Sequence, residues 1–361
     1  MQKIKVAVCH EFGAALPVED VLIRPPEGSE VEVDISAVAI CHSDISCSED
    51  TWGGTLPAVY GHEAAGVITT VGPNAVSLAP GDSVIVTLVR ACGNCQSCAS
   101  GAPTQCETSY DGTKGSITTV DRAPPNQAMA TAGIAEKVVV CQSQVARVDP
   151  ATPKDAAALV ACGGVTGMGT VVNAAGLRAG QDVVVIGAGG VGLNAIQGAR
   201  IAGARRIVAV DISDEKLEIA LSFGATDSIL APPKSPWDAA KDLLGGRGAD
   251  AVIVTVGAIP AYDQALQYLG PHGKVIIVGM QHSGQISSFE PVNLADTGQN
   301  MIDSNMGDIV IQRDIPWLVD LYAQGRLKLE ELISGRWPLE QFKEAIADIK
   351  TGSAQRNVIL F

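Results

Sequence analysis

Two rhythms of apolar and polar positions divide the chain. Up to about position 150, short β-branched runs at 31–38, 65–71, 83–89 and 136–140 are punctuated by Gly, Pro and Asp, which predicts an antiparallel, largely all-β region. From 182 the period changes to an apolar run at 182–186, a glycine turn, a helical stretch at 190–202 and a second apolar run at 206–211. That order predicts parallel βαβ units. Apolar strands at 251–256 and 274–278, with helical stretches at 214–223 and 260–269, extend the pattern into a doubly wound sheet. The tail carries helical stretches at 315–324 and 339–351 and a strand-like 357–361, expected to return to the first domain. Residues 107–133, rich in Gly, Thr, Pro and Ala, predict a loop.

With 361 residues the chain exceeds what one hydrophobic core usually serves, so two domains are expected. Hydrophobic residues at 47% against 18% charged exclude a disordered chain. The net charge of −14 is spread rather than gathered in a tail, which argues against nucleic acid and anionic membrane as partners. The N-terminus lacks the apolar run of a secretory signal, and no uninterrupted apolar segment approaches the ~20 residues of a membrane span. A soluble cytoplasmic protein is the expectation. Nine cysteines in such a chain point towards metal or catalysis rather than disulfides.

Cys92, Cys95, Cys98 and Cys106 stand as C-x2-C-x2-C-x7-C on one glycine-containing stretch. Four thiolates so spaced surround a tetrahedral zinc without long-range closure, and a closed shell of sulfur leaves no position for substrate. Disulfides, an iron–sulfur cluster and chance are the competing readings. The longer last gap and the absence of a following proline argue against a cluster. Upstream, Cys41-His-Ser-Asp44 and Gly61-His62-Glu63 are each weak signals alone, since buried cysteines and satisfied histidines are common. Together with Cys162 they supply two sulfurs and a nitrogen, a set that suits zinc with an open fourth position.

Gly187-Ala-Gly189-Gly190-Val191-Gly192 follows an apolar strand and opens a helix. Glycine there lets the backbone approach a pyrophosphate, whose charge meets the amide end of the helix. Asp211 ends the next strand, where a carboxylate accepts hydrogen bonds from ribose hydroxyls and repels a 2′-phosphate. NAD is therefore favoured over NADP.

Quartet, Gly61-His62-Glu63 and glycine turn, in this order, give the chain a nearly end-to-end resemblance to the medium-chain, zinc-containing alcohol dehydrogenases. The resemblance implies an α/β protein: a mainly antiparallel β, GroES-like catalytic domain of residues 1–163 and 304–361, and a Rossmann NAD-binding domain of residues 164–303. It implies a structural zinc in the quartet and a catalytic zinc on Cys41, His62 and Cys162, with Asp44 orienting His62, Glu63 close behind the metal and Ser43 receiving the alcohol's proton. It places Lys216 near the adenosine ribose and Arg356 at the pyrophosphate. Two departures stand out. Ser46 replaces the histidine that ends the proton relay in many members, and His42 replaces an arginine that several members carry. By the same resemblance Trp52, Leu56, Leu88 and Met280 line an apolar pocket for a primary or secondary alcohol, or its aldehyde or ketone. A homo-oligomer is implied, a dimer before a tetramer. Three other readings remain: a thiol-dependent formaldehyde dehydrogenase, a non-catalytic zinc- and nucleotide-binding regulator, and an enzyme that retains its cofactor and recycles it in place.

Overall fold

The computed structural model describes residues 1–119, 123–231, 235–352 and 354–361. Contacts divide the chain into two units, Met1–Cys162 with Val310–Phe361, and Gly163–Ile309.

The first unit is built on the ten-residue strand Glu30–Ala39, whose β-branched run is buried along most of its length. It pairs antiparallel with Glu63–Val71 on one edge and with Lys137–Cys141 and Arg356–Leu360 on the other. The sheet runs in the order Val145–Arg147, Ser83–Val86, Glu63–Val71, Glu30–Ala39, Arg356–Leu360, Ile333–Pro338. Its last pair is parallel. Val31, Val33, Ile35, Val38, Ile68 and Val84 form the centre of its core, and burying each such side chain contributes about 1.5–3 kcal/mol. The predicted loop 107–133 contains only short pieces, such as Gly112–Lys114 and Ile117–Thr118, and its residues 120–122 lie outside the described residues.

In the second unit six strands form one parallel sheet in the order Asp227–Leu230, Arg206–Asp211, Asp182–Ile186, Ala249–Val254, Leu269–Ile277, Asn300–Asp303. Numbered within the unit this is 3-2-1-4-5-6, the order of doubly wound dinucleotide-binding sheets. Helices cover both faces of such a sheet, so its central strands read as continuous apolar runs; Asp182–Ile186 is buried throughout. The helix Gly190–Ala202 turns Leu193, Ala195, Ile196 and Ala199 inward and stops at Gly203, where the backbone enters the left-handed region at φ 84°.

One expectation needs correction, and one element was not foreseen. Residues 304–309 belong with the second unit rather than the first, because Met306–Asp308 packs on the helical run after Cys162: Asn173 Nδ2 donates to the Gly307 carbonyl at 2.9 Å. Residues Lys154–Ala175 form a 22-residue helical run long and apolar enough to cross a membrane by length and composition, which the residue pattern had not suggested. Most of its apolar window, 89%, is buried inside the protein. It is a core helix.

Candidate active site

The seven-residue helix His42–Ser48 begins at Cys41, which adopts an extended conformation, and Asp44 closes the first turn. Asp44 is 3% exposed and acts three times: its carboxylate accepts the Cys41 amide, the Gly61 amide and His62 Nδ1, each at 3.0 Å. One buried carboxylate thus fixes the start of the helix and the ring of a histidine on a different segment. Gly61 permits this approach, since its φ is 99° and a Cβ there would stand 2.5 Å from the Ile134 amide nitrogen. Cys162 comes from Val160–Gly164, where the long helix widens into a π turn, a distortion that recurs at functional sites.

Cys41, His62, Glu63 and Cys162 are all buried, and their donor atoms lie within 4.8 Å of one another. His62 answers whether this set fits zinc. With Nδ1 donating to Asp44, Nε2 carries the lone pair, and it is buried with no hydrogen-bond partner among the described residues. An orphaned imidazole nitrogen beside two sulfurs is the donor set of a zinc site. The hydrogen bond with Cys162 holds the Cys41 thiol well below its ordinary range and raises Cys162. With no metal bound, burial opposes a charged His62, but the Asp44 carboxylate and the Cys41 sulfur outweigh it and raise the imidazole pKa; a metal at Nε2 would take the place of that second proton.

Glu63 is fully buried and held by the Arg356 guanidinium, which also reaches the Ile40 carbonyl at 3.5 Å. Burial pushes the Glu63 carboxyl up to about 8 against the pull of Arg356. Arg356, expected at a pyrophosphate, is 5% exposed and pairs with Glu63. No local signal in the sequence announces this pair, because its members come from opposite ends of the chain. Ser43 and Ser46 are half-buried and His42 is exposed on the same helix.

The quartet is assembled differently. Its four sulfurs also lie within 4.8 Å of one another, but on half-buried positions of one loop. Backbone amides point at the sulfurs: those of Asn94 and Cys95 at Cys92, those of Cys98 and Glu107 at Cys95, and that of Cys92 at Cys106, at 3.3–3.4 Å. The Thr108 side chain and the Asn94 and Cys95 amides bring Cys92 down to about 6. None of the nine cysteines forms a disulfide.

In the second unit the three glycines of the turn have three separate reasons. Gly187 sits at φ 100°, and a Cβ there would meet Val256 and Thr255 at 2.5 and 2.6 Å. A Cβ on Gly192 would fall 1.8 Å from the Gly187 carbonyl oxygen, so this glycine lets the helix pack on the turn. Gly189 faces open space, and no side chain caps the helix that begins with Gly190 and Val191. A bare helix start beside open space is a cradle for a pyrophosphate. Asp211 accepts the Ala188 amide at 2.7 Å and the Ser213 amide at 3.1 Å, holding its carboxylate beside that turn. Lys216 is half-buried in the first turn of the next helix, which Ser213 caps.

Of the expected pocket residues, Trp52 and Leu56 are half-buried, and Leu56 packs on the core of the first unit. Leu88 lines a cavity of about 410 Å³ with Pro103 and Met129. Met280 is 64% exposed.

Comparison with known proteins agrees with this layout. Residues 27–150 match the alcohol dehydrogenase GroES-like domain, and residues 190–324 match the zinc-binding dehydrogenase domain. The chain is 34% identical to an NDMA-dependent alcohol dehydrogenase of Amycolatopsis methanolica, over 99% of each chain. It is 32% identical to the S-(hydroxymethyl)glutathione dehydrogenase of Saccharomyces cerevisiae, over 99% of this chain and 96% of that one. The crystal structure of benzyl alcohol dehydrogenase from Acinetobacter calcoaceticus superposes with a TM-score of 0.94 at 28% identity, covering all of both chains.

Proposed function

The chain belongs to the zinc-containing medium-chain alcohol dehydrogenases, and on that premise we propose that it passes hydride between a primary or secondary alcohol and NAD. The observation that carries the proposal is the buried His62 Nε2, unpartnered beside the sulfurs of Cys41 and Cys162. Zinc bound there supplies Lewis acidity, which brings an alcohol hydroxyl within reach of deprotonation near neutral pH.

The remaining work falls to the chain's own groups. Asp44 fixes the tautomer and tilt of His62, and so the direction of its lone pair. Arg356 pairs with the buried Glu63 beside the two sulfurs and holds its carboxyl in place. Ser43 receives the proton of the alcohol hydroxyl, and Ser46, which lacks a titratable ring, leaves water to carry that proton to solvent. Gly187, Gly189 and Gly192 shape the seat of the cofactor's pyrophosphate, and the Asp211 carboxylate receives the ribose hydroxyls and excludes a 2′-phosphate. Trp52, Leu56 and Leu88 favour an alcohol with an apolar group. A soluble homodimer completes the proposal.

Formation of NADH, followed by absorbance across short, long, aromatic and terpenoid alcohols with zinc content measured in parallel, tests the reading. Turnover with at least one alcohol supports it; a flat trace across the panel in zinc-loaded protein leaves a non-catalytic regulator. The NDMA-dependent relative favours a second form, in which the cofactor stays bound and is recycled in place. Denaturing the purified protein and finding released NAD(H) supports that form. The relative named S-(hydroxymethyl)glutathione dehydrogenase favours a third, recognised by formaldehyde oxidation only when glutathione or mycothiol is added.

A further inference from the structure

We propose that a basic cavity in the second unit, away from the glycine turn, binds a small phosphate-bearing anion. The cavity, of about 280 Å³, is walled by Arg178, Gln181, Arg247, Asp250, His272 and Lys274. Three permanent cations and a histidine therefore face one carboxylate, in a chain whose net charge is −14. A concave surface whose sign opposes that of the whole molecule concentrates the field seen by an anion.

Its donors are held rather than loose. Arg247 Nη1 donates to Asp250 at 2.8 Å and Nη2 to the Pro271 carbonyl at 3.4 Å, which fixes the guanidinium plane. Lys274 is half-buried, and its ammonium rests on the Ala175 carbonyl at 3.2 Å, at a helix end. Gln181 Oε1 accepts the Arg178 amide at 2.8 Å, tying the turn that carries Arg178. Neither Arg178 nor Lys274 has a carboxylate partner among the described residues. A helix-capping role accounts for Lys274 alone, and the Asp250 pair for Arg247; neither accounts for Arg178 facing the same space.

One wall is a departure from regular structure. Ala249 pairs with Leu269 and Ala251 with Lys274, so two steps on one strand answer five on its neighbour and the strand Leu269–Ile277 bulges at 270–273. His272, at the tip, has φ 60°, a left-handed conformation for a residue that is not glycine. Bulges and backbone strain of this kind concentrate beside binding sites.

The cavity lies at the N-terminal ends of the strands. The strand Asp182–Ile186 separates it from the glycine turn by about 15 Å, at roughly 3.3 Å per residue. Its occupant is thus distinct from the cofactor. A rigid arginine fork, an ammonium and a second guanidinium around one space match the oxygens of a phosphate or pyrophosphate group.

Isothermal titration of inorganic pyrophosphate into the full-length protein, with and without saturating NAD, tests the proposal, and ribose 5-phosphate as a second titrant separates a free from an esterified phosphate. The expected result is saturable binding of at least one titrant that persists with NAD present, weakens about tenfold in Arg178→Gln and falls further when Lys274→Gln is added. Arg178 is exposed, so its loss leaves folding intact even if the Lys274 variant is unstable. Absence of binding by both titrants in the wild type, or equal affinity in Arg178→Gln, overturns the proposal. A protein that binds pyrophosphate but reduces no NAD leaves this inference standing and sinks the dehydrogenase reading instead.

Discussion

The two cysteine clusters contain nearly the same atoms and are made by opposite means. In the quartet, Cys92, Cys95, Cys98 and Cys106 come together within one half-buried loop, and local amides stabilise their sulfurs. In the other cluster, Cys41, His62 and Cys162 meet only because a sheet, a helix start and a π turn converge, and every member is buried. Local closure costs little chain entropy, whereas long-range closure is available only after the fold has formed. The quartet needs only its own loop to bring its sulfurs together; the buried cluster depends on the fold for its existence. Burial also decides what each can do, because a group deprived of water interacts more strongly with a reacting charge.

Cys41→Ser separates the two most sharply. It is expected to lower turnover on the order of a thousandfold, the equivalent of about 4 kcal/mol of Lewis-acid stabilisation, while zinc per subunit falls by half and the quartet stays loaded. Steady-state rates and elemental analysis of one preparation check both. Asp44→Asn keeps the size of the side chain but removes the charge that His62, Cys41 and Gly61 share. Competition with a chelator should then show zinc affinity at the buried site weakened about 10–100-fold. Cys95→Ser should invert the pattern: the melting temperature falls on the order of 5 °C as the loop loses its metal, and activity per folded subunit is largely kept. The smallest effect is expected at the exposed His42. A permanent cation in His42→Arg should tighten NADH a few-fold and slow its release, read by fluorescence titration and stopped flow; unchanged or weaker NADH binding counts against contact with the cofactor.

The same contrast explains which features are legible in the sequence. The quartet and the glycine turn are, because their chemistry depends on spacing within one segment: Gly187 and Gly192 sit where any Cβ collides. So are the parallel strands, whose burial on both faces writes continuous apolar runs such as 182–186. The engagement of Arg356 with Glu63 is not, since the two share no local pattern and meet only when Arg356–Leu360 joins the edge of Glu30–Ala39. Nor is the apolar helical run Lys154–Ala175, whose polar and glycine interruptions hide its length while its burial makes it apolar. The placement of 304–309 escapes for a third reason. Gly169 and Gly307 approach so closely that a Cβ on either would clash, and that tertiary contact outweighs the segment's neighbourhood in the chain.

Counting zinc on fully active wild-type protein tests the central claim most directly. Two zinc ions per subunit are predicted, one in each cluster, with activity falling in step with loss of the ion held by Cys41, His62 and Cys162. Full activity in a preparation whose only zinc sits in the quartet would contradict the account.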